Sequence, residues 1–508
     1  MVSPKTIWGQ MVGAARSCSG MSVRLALHPR MSKEAGQRVR PILLGLCVLG
    51  LAGCSTKAPP TAAEIREQSG TLSNMPLTNA WKAGAASGQI ADDWLTSFND
   101  PQLTALVTEA LANNPDLRVT ITRVEQAAQY VELAKAAMRP SVNLLGTGGL
   151  NLGGGDVSSA LQGASLGVSW EPDLWGRMRY GRNAYQATLR SMQADYEFAR
   201  QSLAATMAKG WFTATETWIQ LKIAEDMVKS AEELASLAEK RWKIGPGTEQ
   251  DAAMARANLG TYQDIAKQVR FAHDQSLRAV ELLLGRYPAA ELKARQDLPV
   301  FPGPVPAGLP LEMLERRPDM VAAECRVAAA FNRVGEAKAA RLPRITLNAS
   351  VAVIDSAILQ LKEDFQNPTA GVGARLIAPI YDGGALKTQV EIRTLEQKEA
   401  VAQYARQALR ALSEVENALA AGKSLADRRQ LLERAVVDNQ RALELVQTSY
   451  RVGKVDLRTV QQQQLNLYSM KLTQLRVQSE QLAQRANLHL ALGGSFEEPK
   501  ASATTAAK

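Results

Sequence analysis

The sequence predicts a mixed α/β membrane protein, internally duplicated, in which each half supplies two membrane-length β-strands and a very long helical hairpin. Three observations predict it. Landmarks recur in the same order at a nearly constant spacing, two very long stretches contain no proline, and segments of apolar/polar alternation precede each of those stretches.

The duplication fixes the organisation. Pro115-Asp116-Leu117 matches Pro318-Asp319-Met320, and Arg139-Pro140-Ser141-Val142 matches Leu342-Pro343-Arg344-Ile345, both at an offset of 203 residues. RWKIG (241–245) matches SYRVG (449–453), and Leu284-Gly285 matches Leu492-Gly493, both at 208. Such a period is far beyond the roughly 20–50 residues of a solenoid repeat, so each half is an assembly of several elements. The first repeat covers 101–296 and the second 311–493. Between them DLPVFPGPVPAGLP (297–310) carries five prolines, which forbid helix and favour a stiff, extended connector. Residues 494–508 lack apolar periodicity and are expected to be disordered.

Within each half the elements follow in one order. A helix of about 35 residues leads to Pro140 or Pro343. A strand comes next, at about 141–152 or 344–355. In the latter Ile345, Leu347, Ala349, Val351 and Val353 alternate with Thr346, Asn348, Ser350 and Ala352. A loop follows, rich in Gly, Ser and Asp around 151–165 and more charged around 355–371. Second strands at about 162–173 and 370–381 end in EPDLWGR and APIYDGG. These lengths suit a tilted transmembrane β-strand, which needs roughly 9–11 residues.

Long helices complete each half. No proline occurs from Asp173 to Gly245 or from Ile380 to Glu498. Helices over 182–243 and 385–451 would be roughly 90–100 Å long at 1.5 Å per residue, which demands a coiled coil or a tube wall. Val401, Ala405, Ala408, Leu412, Val415 and Leu419 step by 4, 3, 4, 3 and 4, a heptad seam of small residues that reads as core. Each helix turns at a tip, 241–247 with Gly245-Pro246-Gly247 and 449–455 with Gly453, and another runs back to Gly285 or Gly493. Four strands per chain cannot close a barrel, and an open edge in lipid leaves backbone groups unsatisfied at several kcal/mol each. The chain must therefore oligomerise to an even total of strands.

The amino-terminal region bears on location. Residues 1–53 hold seven Lys/Arg and one acid, so +6 of the formal +9 sits there and +3 remains for everything else. Basicity thus gives no support for nucleic-acid binding. The apolar run Ile42–Gly53 is too short to span a bilayer as a helix, which takes roughly 20 residues, and Lys33, Arg38 and Arg40 precede it as in a secretory signal. Leu51-Ala52-Gly53-Cys54 resembles the lipobox of bacterial lipoproteins. That resemblance implies cleavage before Cys54, a diacylglycerol on its sulfur and an acyl chain on its new amine. It makes 54–100 an amino-terminal lipid-anchored segment, and Ser55, in place of Asp, permits export to the outer membrane. The plainer reading of Cys54 is a core cysteine at the end of a short helix. Met31 is the expected start, because residues 1–30 fit no signal peptide.

Catalysis finds no foothold. The only histidines are His28, His273 and His489, and no GxSxG, HExxH, P-loop or paired metal-ligand motif occurs. Cys18, Cys47, Cys54 and Cys325 form neither a zinc pair nor a disulfide framework. No enzyme activity, no metal and no cofactor is expected beyond the acyl chains on Cys54.

Six motifs carry a resemblance across nearly all of the mature chain: DDWLTSFNDPQL (92–103), NNPDLRVTITRVEQA (113–127), SWEPDLWGRMR (169–179), LERRPDM (314–320), PIYDGG (379–384) and YRVGKVDL (450–457). The chain resembles the TolC/OprM-like outer-membrane efflux factors, and within them the NodT-type lipoproteins. The resemblance implies a homotrimer whose three copies of four strands form a 12-stranded β-barrel in the outer membrane of a Gram-negative bacterium, continuous with a periplasmic α-helical barrel. It implies docking to a periplasmic adaptor (membrane fusion) protein and an inner-membrane efflux transporter, with passive conduction of drugs and toxic small molecules. Arg241, Gly245, Tyr450 and Gly453 carry over as tip residues that meet the adaptor; as ordinary helix caps the glycines fit equally well.

One departure stands out. The family often narrows its aperture with aspartates after the second tip glycine, whereas this chain has Thr459 and Gln462 there. A neutral ring lacks the field that favours cations, although Asp456 or Asp251 could lie close enough to serve. The rival to a channel is a periplasmic coiled-coil lipoprotein held by lipid alone, which would have no use for the strand pairs.

Overall fold

The computed structural model describes residues 56–147, 162–355 and 368–496, apart from positions 76, 78, 85–87, 89 and 91. The chain divides into Met1–Cys54 and Ser55–Lys508, and every described residue belongs to the second unit. The signal segment and Cys54 lie outside the described residues.

After α1 (Ala62–Gln68), capped by the Thr61/Glu64 box, proline dictates how each repeat opens. α2 (Pro101–Asn113) is separated from α3 (Pro115–Ala136) by an extended Asn114, ψ 125°. In the second repeat α6 (Pro310–Arg316) and α7 (Pro318–Ala339) flank Arg317, also at ψ 125°. The single helix of about 35 residues expected in each half is therefore two. Proline disfavours helical backbone in the residue before it and suits the first helical position, where no N–H is needed.

The strands form one antiparallel sheet in the order β1 (Ser141–Thr147), β2 (Gln162–Trp170), β3 (Arg344–Asp355), β4 (Thr369–Ile377). β2 pairs with β3 across the two repeats, with Leu166 opposite Val351 and Trp170 opposite Leu347. β2 stops three residues short of the expected 173, and β4 four short of 381. Pro172 and Pro379 have no N–H to give a ladder. Residues 148–152 of the first expected strand lie outside the described residues.

α4 (Arg177–Ile244) runs for 68 residues and α8 (Ala385–Arg451) for 67, each about 100 Å at 1.5 Å per residue. The return helices α5 (Glu249–Leu283) and α9 (Leu457–Ala491) have 35 residues each. The predicted seam of α8 is core: Val401, Ala405, Ala408, Val415 and Leu419 are buried, joined by Tyr404, Ala411 and Ala418, which widen the stripe. Small residues dominate the buried face of α4 as well, including Ala204, Ala205, Ala208, Ala231, Ala235 and Ala238, which lets neighbouring helix backbones approach closely. The seam at 297–310 is extended but not free, since Val305 and Ala307 are buried in the core beside α7 and α8.

The repeated landmarks meet in space. Asn114 caps α3 by accepting from Leu117 N–H at 3.0 Å and donates its amide to the Leu283 carbonyl at 2.9 Å, at the end of α5. In the second repeat Arg317 stands in that place and donates to the Ala491 carbonyl at the end of α9, 2.9 Å. Each link satisfies a helix-end carbonyl that has no partner within its own helix. A Cβ on Gly285 would lie 2.8 Å from the Asn113 carbonyl oxygen, and one on Gly493 would lie 3.1 Å from Arg317 Cα. The Leu-Gly pair and the Pro-Asp landmark are thus two halves of one joint.

The tail is a correction. Phe496 is 9% exposed in the core, beneath the Arg200 guanidinium, and Ser495 N–H donates to Asp92 at 2.9 Å. A single aromatic anchor leaves no periodicity, so the pattern missed it. Residues 497–508 lie outside the described residues.

Near that anchor His489 is 2% exposed and stacked on Trp94, with centroids 5.6 Å apart and rings 12° from parallel. Neither ring nitrogen has a hydrogen-bond partner among the described residues. Burial, reinforced by the Arg485 charge, lowers its pKa from 6.5 to about 3. The unfolded chain then binds the extra proton between pH 6.5 and about 3, so stability is complete above 6.5 and falls as the pH drops. About 2 kcal/mol is expected to be lost by pH 5 at 1.36 kcal/mol per pH unit. Chemical denaturation at pH 7 and 5 tests this: His489→Phe should flatten the difference, and an unchanged slope would refute the assignment.

Candidate functional site

Alternation along the strands builds two unlike faces from one sheet. Val142 and Leu144 continue through Leu166, Val168 and Trp170 of β2 and Leu347, Ala349, Val351 and Val353 of β3 to Val372, Ala374 and Leu376 of β4. The register places these residues directly opposite one another, which makes a continuous apolar face. The other face carries Asn143, Ser165, Gly167, Ser169, Thr346, Asn348, Ser350, Gly371 and Gly373. The apolar face is not core: Leu144 is 76% exposed, Val351 48% and Val372 92%. β1 and β4 each have one paired and one open edge. Apolar outside, polar inside and open at both edges is the chemistry of a segment of a transmembrane β-barrel.

At the helix end of the sheet, indole and phenol groups collect. Trp170 donates Nε1–H to the Met138 carbonyl at 3.1 Å and Trp175 to the Pro343 carbonyl at 2.5 Å, while Tyr381 is 90% exposed. Half-exposed aromatics with one polar end suit a membrane–water interface. The described chain also begins here. Lys57 N–H donates to the Tyr180 hydroxyl at 2.9 Å, and the Thr56 methyl lies against Gly176 at the start of α4.

The tips lie at the other ends of α4 and α8. Gly245 adopts φ 104° and caps α4, donating its N–H to the Arg241 and Trp242 carbonyls, a backbone conformation that residues with a Cβ avoid. Gly453 adopts φ 77°. Arg241 and Tyr450, expected to face a partner, hold each other. The Arg241 guanidinium donates to the Tyr450 carbonyl at 2.9 Å and sits 4.8 Å from the centre of its ring. Tyr450 is 6% exposed, and burial raises its phenol pKa, with the Arg241 charge opposing. The outward surface is instead Ile244 at 80% and Val452 at 66%. Both immediately precede a tip glycine, an apolar residue at the same place in the two repeats.

The aperture candidates separate. Asp456 is the N-cap of α9; its carboxylate accepts from Thr459 N–H at 2.9 Å and from the Thr459 hydroxyl, and these bonds lower its pKa. Asp251 lies in the first turn of α5, its N–H bonded to Thr248 Oγ1 at 3.1 Å. Thr459 and Gln462 are exposed, and the Gln462 amide donates to Asn466 Oδ1 at 3.1 Å.

Comparison with known proteins agrees with this geometry. The family model described as outer membrane efflux protein matches residues 106–286 and 309–494, one segment per repeat. The pyoverdine export outer membrane protein OpmQ of Pseudomonas putida is 30% identical over 88% of this chain and 96% of its own length. The cation efflux system protein CusC of Escherichia coli O6:H1 is 29% identical over 90% of this chain and 99% of its own. The Campylobacter jejuni CmeC outer membrane channel shares the fold, with a TM-score of 0.77 at 22% identity over 88% of this chain and 96% of that one.

Proposed function

The chain belongs to the outer membrane efflux protein family, and from that premise we propose that it is the outer-membrane channel of a tripartite efflux system, passively conducting small molecules outward from a periplasmic adaptor and an inner-membrane transporter. The observation that carries this is the sheet: four strands, two open edges, one exposed apolar face and one polar face. Copies of the chain close the barrel edge to edge, and three give 12 strands, three times the four of this sheet. Long helices leave the same end of the sheet, and their exposed apolar positions, such as Leu395 at 62% and Leu431 at 66%, are the rows that neighbouring copies cover. The adaptor seats on the tips through Ile244 and Val452, with Gly245 and Gly453 shaping the turns and the Arg241–Tyr450 pair bracing them from within. Thr459 and Gln462 supply no charge of their own to the aperture, and Asp456 acts as a helix cap.

The amino terminus fits an anchor at Cys54. Thr56, two residues later, lies against Gly176 at the start of α4. A diacylglycerol and an N-acyl chain on Cys54 would tie the mature amino terminus to the membrane. The lipid is an aid and the sheet is the anchor, so Cys54→Ala, exported behind a non-lipoprotein signal, is expected to remain a detergent-requiring trimer in the outer-membrane fraction. Recovery of that variant as a soluble periplasmic protein would favour the lipid-held coiled-coil scaffold and sink the channel.

A further inference from the structure

The polar face of the sheet is neutral except at one level, where it is basic. Arg344 opens β3 opposite Ile377, and Arg375 lies on β4 opposite Thr346. The two arginines are therefore diagonal cross-strand neighbours on one face, with backbones roughly 7–8 Å apart. Both are exposed. Among the described residues neither makes an ion pair or a side-chain hydrogen bond. The strand positions in register with the two arginines on that face carry no acid.

The carboxylates that follow the strands are already engaged. Glu171 pairs with Arg177 at 2.9 Å. Asp173 pairs with Arg179 at 3.1 Å and accepts from the N–H groups of Met178 and Arg179. Asp382 accepts from the N–H groups of Gly384 and Leu386. Arg344 shares a cleft of about 220 Å³ with Glu171 and Asp173, yet those charges are balanced by their own arginines. Among the described residues no carboxylate pairs with the two arginines of this face.

We propose that Arg344 and Arg375, repeated around the closed barrel, form an anion-recognising collar at its periplasmic mouth and make this a duct for anionic small molecules carrying carboxylate or phosphate groups. The inference rests on the channel reading above and names its cargo class. A guanidinium presents a planar fork of donors that matches a carboxylate or phosphate, and two forks on adjacent strands hold one such group in passing. The low-dielectric wall of a pore focuses the field of a charged ring onto the solute. The apolar face turns to lipid, so strand parity aims both side chains into the lumen, and the anion they meet is a solute and not a lipid headgroup. At the tips Thr459 and Gln462 are neutral, and the Asp456 carboxylate is engaged as the cap of α9 by the Thr459 N–H and hydroxyl.

The test is the reversal potential of the purified full-length trimer in planar bilayers under a potassium chloride gradient. The expected result is preference for chloride over potassium. Arg344→Ser with Arg375→Ser should reduce the permeability ratio roughly tenfold at low salt, with less effect at high salt where screening shortens the field. Lysine at both positions should restore the preference, since it keeps the charge. A potassium-selective or unselective wild type overturns the proposal. So does a double serine variant with unchanged selectivity, the outcome expected if the arginines bind lipid phosphate. Trimers that insert but never conduct overturn the channel reading itself, and the collar with it.

Discussion

Replacing Arg317 by alanine is expected to destabilise the protein by about 3–5 kcal/mol, enough to prevent accumulation of folded trimer. Arg317 is 1% exposed, and its guanidinium makes two bonds to Asp319, Nε to Oδ1 at 3.0 Å and Nη2 to Oδ2 at 2.9 Å. It also donates to Glu414 at 2.9 Å and to the Ala491 carbonyl at 2.9 Å. Burial alone would lower its pKa, but Asp319 and Glu414 outweigh burial and hold it raised. Burial likewise pushes the Asp319 carboxyl up, and Arg317 with Gln407 brings it below its ordinary value. Removing one partner strands the other charge in the core and leaves the end of α9 without its donor, which is the expensive way to break a buried pair. Asn114→Ala, at the same place in the first repeat, removes a neutral cap and should cost only about 1 kcal/mol. Thermal unfolding of extracted trimer measures both. Equal losses would refute the claim that the second joint is ionic and the first is not. Arg317→Met with Asp319→Leu should recover part of the loss, because it removes both charges together. Stability held by Asp319 is complete above its unfolded pKa and is lost as the pH falls through its lower folded value.

The joint also shows what a one-dimensional pattern can and cannot carry. Pro-Asp and Leu-Gly were visible as repeats because proline and glycine are demanded by backbone geometry, which is local. That Arg317 reaches the carbonyl of Ala491, 174 residues away, was not visible, because nothing at either position alone specifies the other. The same division holds along the chain. The strands and the two long helices were legible from alternation and from the absence of proline, since the bilayer and the helix repeat both impose lengths. The break at Asn114 and Arg317 was legible in principle from Pro115 and Pro318 and was outweighed by continuous apolar periodicity on either side. That Arg241 and Tyr450 hold each other was not visible, because sequence gives the height of a residue on a helix more readily than its face. Phe496 is an anchor of one residue, below the reach of any periodic signal. The lumenal arginines needed the register, since only the pairing of β3 with β4 sets Arg344 and Arg375 on the same face at the same level.

Neighbouring residues of β3 should have opposite fates when converted to arginine. Val351 lies mid-sheet between Leu166 and Ala370 on the apolar face, and Ser350 lies between Gly167 and Gly371 on the polar one. A charge facing the middle of a bilayer costs about 2–4 kcal/mol, and barrel closure multiplies the penalty because every copy carries it. Val351→Arg is therefore expected to abolish the outer-membrane trimer, leaving monomer in the periplasm or its degradation products. Ser350→Arg enters the lumen, where the two flanking glycines leave room for the side chain, and should assemble normally. Fractionation followed by unheated gel electrophoresis distinguishes trimer from monomer for both. If both variants failed alike, or if Val351→Arg assembled while Ser350→Arg did not, the two faces would have been assigned the wrong way round or the sheet would not meet lipid at all. Ser350→Arg adds a positive charge to the same inner wall that already carries Arg344 and Arg375. Its trimers should therefore be more chloride-selective than the wild type, which ties the assignment of the faces to the assignment of the cargo through a single substitution.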